Sequence, residues 1–490
     1  MMLHEKIFDL ALKRSFFYPS NEPYGAVAGF YDYGPVGVLV KKKIEELWLR
    51  MFIKADGHHE VQTGFITPEP VLRASGHVDA FGDPIVECKK CKIKIRADSF
   101  IADNMDGFEW DGKLETIDKV IEEEKLTCPR CKGGLTKAHM FNLMFKTGIG
   151  AERSPAYARP ETAQGIFTAF PRIYRNHGTK LPMAVGQIGK SARNEISPRK
   201  GLVRMREFTQ MELEYFFNPN EPDIAGFDGI SDSRIRFQVD GKLTVMSIGD
   251  AVKKKLVPNQ IFGYYLVKEW EFYKNVGISE PEMYFRVLRK DETPHYSRRN
   301  IDMEVQTSFG IVETIGNAYR TDYDLSQHAK TSKGDFSVFV ESEKKRIIPH
   351  VFEVSMGVDR LFFCMLEHCF REKTKEKDWE WFDFPPVIAP YEIAVFPLMK
   401  KDGLAEKAKE IAARLRNEFD VFYRDSGSIG RRYARADEVG VPYAITTDYD
   451  TLEDNTVTIR YRNNGKQKRI KIDEIADVVR KNIQDGKVIL

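Results

Sequence analysis

The sequence lacks any apolar run approaching the about 20 residues needed to cross a bilayer, which excludes a membrane-spanning helical protein. Its N-terminus, MMLHEKIFDLALKRSFFYPS, carries charges early and lacks the continuous apolar segment of a secretory signal, so a cytoplasmic protein is expected. An excess of one charge is missing too. Lys and Arg number 75 against 73 Asp and Glu, a net of +2, which neither requires nor excludes a nucleic-acid partner. Cysteine is scarce, with six in 490 residues. Four of these fall into two CxxC pairs, a pattern that suits metal binding in a reducing compartment better than a disulfide framework. The other two, Cys364 and Cys369, lie in the apolar run LFFCMLEHCF and read as buried thiols. No internal repeat is visible.

A chain of this length exceeds one ordinary hydrophobic core, so several domains are expected. A helix is predicted from about Val36 to Phe52, with Val40, Ile44, Leu47 and Met51 on one buried face. Composition turns polar and Cys-bearing from Glu87 to Leu135, as in an insertion, and residues 218–299 read as a second one. Between them, Met183 to Phe217 alternate with the period of a long β-hairpin. A strand-to-helix passage is predicted in HVFEVSMGVDRLFFCMLEH. REKTKEKDWEW and FPPVIAPYE then read as a linker. Beyond Pro390 the pattern becomes β-α-β-α-β, a small α/β domain.

AVGQIGKS, from Ala184 to Ser191, ends like a phosphate-binding loop. Ala184 stands where that loop needs its opening glycine, and the flanking residues alternate as strands, so this reading is set aside. The hairpin says more. Residues of one parity share a strand face, which groups Gln187, Ser191, Arg193 and Glu195 on one strand and Arg206, Phe208, Gln210 and Glu212 on the other. A solvent-facing sheet would look similar. The passage with Glu353, Ser355, Gly357 and Arg360 shifts the balance, because an Arg in the first turn of a helix opposes the helix dipole and calls for an anionic partner.

GFYDYGP, ARNEISPRKGLVRMREFTQMELEYF and EVSMGVDRLFF resemble motifs 1, 2 and 3 of the class II aminoacyl-tRNA synthetases, in the same order. ARPETAQGIF, RASGHVDAF, YDLSQHAK and SGSIGRRYARADEVGVPYAIT further resemble the glycyl-tRNA synthetases of archaeal and eukaryotic type, over nearly the whole chain. The class I signatures HIGH and KMSKS are absent. The resemblance implies an α+β fold: a catalytic domain with an antiparallel six-stranded sheet and insertions, followed by a C-terminal α/β anticodon-binding domain. On that reading 1–86, 136–217 and 300–384 form the catalytic domain, 87–135 a zinc-binding insertion, 218–299 an insertion suited to contact the tRNA acceptor end, and 385–490 the anticodon reader.

The same resemblance implies residue roles. Arg193 would bridge the α-phosphate of ATP and the glycine carboxylate, a task for which a bidentate fork suits better than Lys. Phe208 would stack on adenine with Arg360 opposite and near the γ-phosphate, while Arg206 and Glu195 complete the nucleotide site. Arg193 and Arg360 are thus the expected catalytic residues, with Mg²⁺ accompanying ATP. Glu161, Glu212, Glu353 and Ser355 would receive the glycine ammonium. Arg159 and Arg320 fit a structural ion pair as well as a substrate contact. Specificity for a substrate without a side chain must come from steric exclusion.

Cys88, Cys91, Cys128 and Cys131 form CxxC, 36 intervening residues (92–127), then CxxC. Two such knuckles can present four thiolates to one tetrahedral zinc, which would be structural because its coordination sphere is full. Arg431, Arg432, Arg435 and Arg460 read as exposed RNA contacts or as a charged helix face. The expected partners are tRNA(Gly), glycine, ATP and, through the motif 1 helix with Pro35, a second copy of the chain; no membrane is expected. Two alternatives stand beside this reading. A sister synthetase for another amino acid would lack the acid-rich pocket, and a non-catalytic nucleic-acid-binding relative can lose the arginines of motifs 2 and 3, both of which this chain keeps.

Overall fold

The alternating segment folds into two long antiparallel strands, Met183–Ala192 and Glu207–Phe217, with Gln187 opposite Glu212 and Ser191 opposite Phe208. The computed structural model describes residues 2–484 apart from 106, 179, 199 and 295, so the last six residues of the C-terminal segment lie outside the described residues. The hairpin sits in a nine-stranded sheet. Its six central strands, from Met283–Val287 through Ile301–Thr307, Gly310–Thr321, His350–Gly357 and Glu207–Phe217 to Met183–Ala192, are antiparallel throughout. A parallel pairing at each end, to Arg234–Val239 and to His59–Glu60, makes the whole sheet mixed.

Alternation then sorts the faces. Met211, Leu213 and Tyr215 join Val354 and Met356 in the main apolar core, against the helices Pro35–Trp48, Gln260–Asn275 and Val358–Cys369. Their neighbours of opposite parity form the other face. Cys364 and Cys369 are buried on the last of these helices, free of disulfides. The predicted helix starts at Pro35, whose missing N–H costs nothing at the first helical position. After Trp48 it widens into a π-helical turn, Leu49–Lys54, which shifts the register and buries Phe52 and Ile53 rather than Met51. The glycines of AVGQIGKS serve this packing. A Cβ on Gly186 would stand 2.3 Å from Ile53, and one on Gly189 would stand 2.1 Å from the Arg159 guanidinium.

The segment 218–299, expected as an insertion, is not a separate layer. Arg234–Val239, Lys242–Ser247 and Met283–Val287 extend the main sheet, and Gln260–Asn275 is buried in the main core. The Cys-bearing segment does form its own small unit, a three-stranded sheet of Lys94–Arg96, Gly82–Glu87 and His139–Asn142 around an apolar cluster that includes the thiols.

Near the C-terminus, Val421–Tyr423, Ile393–Pro397 and Tyr443–Thr447 run parallel and continue antiparallel into Thr456–Tyr461 and Gln467–Lys471. Ile393 and Val395 face this domain's own core, whereas Ala394 and Phe396 point the other way into the main core. The expected linker is therefore packed. Phe382 and Phe384 stack with ring centroids 5.1 Å apart and meet Phe16 edge-on, alongside Val439 and Val441 of the C-terminal domain. Buried Arg462 ties both sides, donating to Asp383 at 2.7 Å, to Phe384 O at 2.9 Å and to Gly440 O at 2.7 Å.

Two of the four arginines expected as RNA contacts also turn inward. Arg460 forms a bidentate pair with buried Asp437 at 2.8 and 3.0 Å, and Arg432 donates to Pro397 O and to Leu398 O. An amphipathic pattern does not distinguish a buried pair of this kind from an exposed basic face. Arg431 is exposed and Arg435 is half-buried, beside Arg424 and Arg14 in a cleft.

A chain ending at Pro390 would bare Phe382 and Phe384, and burying one such ring is worth about 1.5–3 kcal/mol. This truncation should unfold at a clearly lower temperature than the intact chain in calorimetry; an unchanged midpoint would show that the seam between the two sheets contributes nothing.

Candidate active site

The polar face of the hairpin and of His350–Gly357 forms the floor of a cavity of about 420 Å³. Register decides which groups meet: Glu212 lies opposite Ser355, and Glu214 opposite Glu353. One end of the cavity is rich in carboxylates. Glu212 takes four hydrogen bonds, from the Thr162 amide at 2.9 Å, the Thr162 hydroxyl, the Gln210 amide at 2.8 Å and the Ser355 hydroxyl at 2.6 Å. Burial and neighbouring Glu161 nevertheless push its carboxyl up. Burial acts on Glu161 in the same direction, but His77 at 3.4 Å, Arg320 and the Gln164 amide outweigh it and hold Glu161 below the usual carboxylate range. Burial pushes Glu353 up to about 8, against Arg320 and with Glu161 and Glu212.

The other end is basic and aromatic. Arg193, just past the end of its strand, donates to Pro160 O at 3.0 Å, and its guanidinium lies 5.4 Å from the Phe208 ring centroid and 5.2 Å from that of Phe81. Arg360, in the first turn of Val358–Cys369, donates to Val203 O at 3.1 Å and Glu313 O at 2.8 Å. The adjacent Asp359 accepts from the Tyr33 hydroxyl and from the Thr209 amide, both at 2.6 Å, and so joins the three motif segments.

Of the residues expected from sequence, Glu161, Arg193, Glu195, Phe208, Glu212, Glu353, Ser355 and Arg360 line this one cavity. Arg206 does not. Its fork is committed to backbone carbonyls, Glu195 O at 3.0 and 2.8 Å and Ala28 O at 2.8 Å, where it pins the loop between the hairpin strands. Arg204 takes the lining position instead and donates to Glu195 at 2.7 Å. Arg320 lies behind the wall, with two donors on Asp324 at 2.7 and 2.8 Å and one on Glu353 at 2.9 Å. Arg159 is likewise internal, bonded to Lys190 O at 2.7 Å and Thr63 O at 3.0 Å.

Sequence reasoning missed Asp302 and Glu313, which line the cavity, with Glu313 3.8 Å from Arg360. Asp302 is buried, its Oδ1 has no hydrogen-bond partner, and burial together with Glu313 and Glu304 pushes it up to about 8. An orphaned carboxylate oxygen beside a second carboxylate fits a hard divalent cation. Away from the cavity, the four cysteines gather as the spacing implied. Their sulfurs all lie within 4.8 Å of one another, with Cys88–Cys131 at 3.5 Å and Cys91–Cys128 at 3.6 Å. Tetrahedral coordination at Zn–S of about 2.3 Å puts sulfurs about 3.8 Å apart, so the arrangement fits such an ion.

Arg320→Ala would strand Asp324 and Glu353 in the interior. Breaking a buried pair by removing one partner costs about 3–5 kcal/mol, so the variant should show that loss in denaturant unfolding, and a loss below about 1 kcal/mol would contradict the wall role.

Known proteins give the arrangement its family. A model of the tRNA synthetase class II core domain (G, H, P, S and T) matches residues 147–369, and an anticodon-binding domain model matches 392–482. The chain is 38% identical to the glycine–tRNA ligase of Methanocaldococcus jannaschii, with 99% of each chain covered. It is 37% identical to that of Methanothrix thermoacetophila, with 97% of this chain and 96% of the relative covered. For the Pyrococcus furiosus enzyme the identity is 39%, with 96% and 97% covered. A solved prolyl-tRNA synthetase from Cryptosporidium parvum, complexed with halofuginone and AMPPNP, shares the fold at a TM-score of 0.60 and 12% identity, over 98% of this chain and 78% of that one. With a class II core, a C-terminal anticodon-binding domain and near full-length similarity to these ligases, the chain belongs to the glycine–tRNA ligase family of class II aminoacyl-tRNA synthetases.

Proposed function

We propose that the protein activates glycine with ATP to glycyl-adenylate and transfers glycine to the 3′ end of tRNA(Gly). The observation that carries this reading is a cavity with carboxylates at one end and an Arg–Phe–Arg wall at the other. Glu161, Glu212 and Glu353 with Ser355 receive the ammonium, and their close packing excludes a side chain. Phe208 and Arg360 hold the nucleotide, and Arg204 steadies Glu195 beside it. Arg193, near both ends, orients the glycine carboxylate so that one oxygen attacks the α-phosphorus as the bond to pyrophosphate breaks. The 3′-terminal ribose hydroxyl then attacks the carbonyl, and AMP leaves. Asp302 and Glu313 would hold Mg²⁺, which neutralises phosphate charge when bound. Pyrophosphate exchange tested with each standard amino acid should respond to glycine alone; exchange with another amino acid would favour a sister synthetase.

The proposed compartment is the cytoplasm, in keeping with charging of tRNA; among the described residues no helix is long and apolar enough to cross a membrane. The C-terminal domain is the proposed anticodon reader, with Arg431 and Arg435 available to phosphates. A homodimer through the Pro35–Trp48 helix is supported by the exposed apolar side chains of nearby Tyr24, Val27 and Val38.

Arg193→Ala should cut glycine-dependent pyrophosphate exchange by about 100-fold or more, the scale for losing one group that stabilises transition-state charge, with little change in thermal unfolding. Unchanged exchange would remove Arg193 from the mechanism.

The four-thiol group is the proposed seat of one structural Zn²⁺. Metal analysis of the purified chain should give one zinc per chain, and Cys88→Ser with Cys91→Ser should lose it and loosen the Gly82–Asn142 unit to proteolysis. A zinc-free wild type, or full zinc in the double variant, would contradict the assignment.

A further inference from the structure

Beneath the carboxylate end of the cavity lies an acid that no role above uses. Glu214 is completely buried, outside the lining, and neither of its carboxylate oxygens has a hydrogen-bond partner. Every other acid around it is provided for. Asp324, on the helix Tyr323–Ser332, and Glu353, across the strand pair, divide the donors of Arg320 on Gly310–Thr321. Glu161, on the loop that follows Ser154–Ala158, has His77, and Glu212, on Glu214's own strand, has four donors. The strand on the other side offers only Val185 opposite Glu214, and on the helix Ala163–Asn176 Phe167 lies against Arg320 and Gln164 donates to Asp324, neither charged. Tyr296 packs over Arg320 and is uncharged at neutral pH.

Two carboxylates directly opposite each other in a sheet interior, with a single guanidinium donor on Glu353 and none on Glu214, do not both ionise. We propose that Glu214 and Glu353 hold one proton between them in the free protein, and that the ammonium of glycine displaces it to solvent. Glu214 thereby acts as a positioning residue: it sets the charge that Glu353 presents before glycine arrives. Burial and the like charge of each neighbour push both carboxyls up, against Arg320, so keeping a proton on the pair relieves the repulsion between them. This inference rests on the glycine reading of the cavity.

The sign follows from the balance. The free protein carries a proton that the complex lacks, so affinity for glycine rises with pH, about tenfold per pH unit while the pair is protonated. It levels off once the pair has lost that proton. The test is calorimetric titration of glycine into the intact protein at pH 7 in buffers of different ionisation heat. About one proton should be released per glycine, and the glycine KM in pyrophosphate exchange should fall about tenfold from pH 6 to pH 7. In Glu214→Gln, whose amide can donate to an already ionised Glu353, both the release and the pH slope should vanish while the KM for ATP stays unchanged. Glycine binding without proton release in the wild type, or equal release in Glu214→Gln, overturns the proposal. Should the variant not fold, the wild-type release and slope decide alone. Absence of any glycine binding would instead retire the glycine reading, and the inference with it.

Discussion

Arg320 makes the carboxylate end of the cavity sustainable. A guanidinium sealed from water, with three donors on Asp324 and Glu353, allows two acids to stay in the interior where each alone would cost several kcal/mol. Asp324 in turn accepts from Gln164, which also donates to Glu161, so one network joins two strands, two helices and the loop over the cavity. The acids that face the substrate owe their places to this unseen layer. Preorganisation of this kind lets a site bind charge without rearranging at the moment of reaction.

At the basic end the two expected catalytic arginines are oriented chiefly by backbone, with Glu313 3.8 Å from Arg360. Arg193 and Arg360 each rest on carbonyl oxygens, which orient a guanidinium without neutralising it. Their charge therefore remains available to phosphates. Asp359 completes the frame, since the hydroxyl of Tyr33 and the amide of Thr209 converge on it.

Much of this was legible in the chain because it is local and periodic. Parity alone put Phe208, Gln210 and Glu212 on one face, and the strand-to-helix passage put Glu353, Ser355 and Arg360 together. Legibility failed where the period stopped. Between Arg193 and Arg206 the backbone is irregular, so parity could not tell that Arg204 points into the cavity while Arg206 points away. Phe382 and Phe384 looked like linker residues because prolines interrupt any pattern there, and their partners Phe16, Val439 and Val441 are remote in sequence. Glu214 had the right parity, yet its burial depends on strands and a helix that no local pattern brings together.

The seam built from Phe382, Phe384 and Phe396 bears on how such chains diversify. Family boundaries begin the second domain at residue 392, but the packing unit begins earlier, with rings that serve both sheets. A recombination event at the family boundary would hand the incoming domain a foreign docking face. Exchange that preserves a working chain must therefore carry the Trp381–Ala389 segment as part of the cargo, or repair both faces at once.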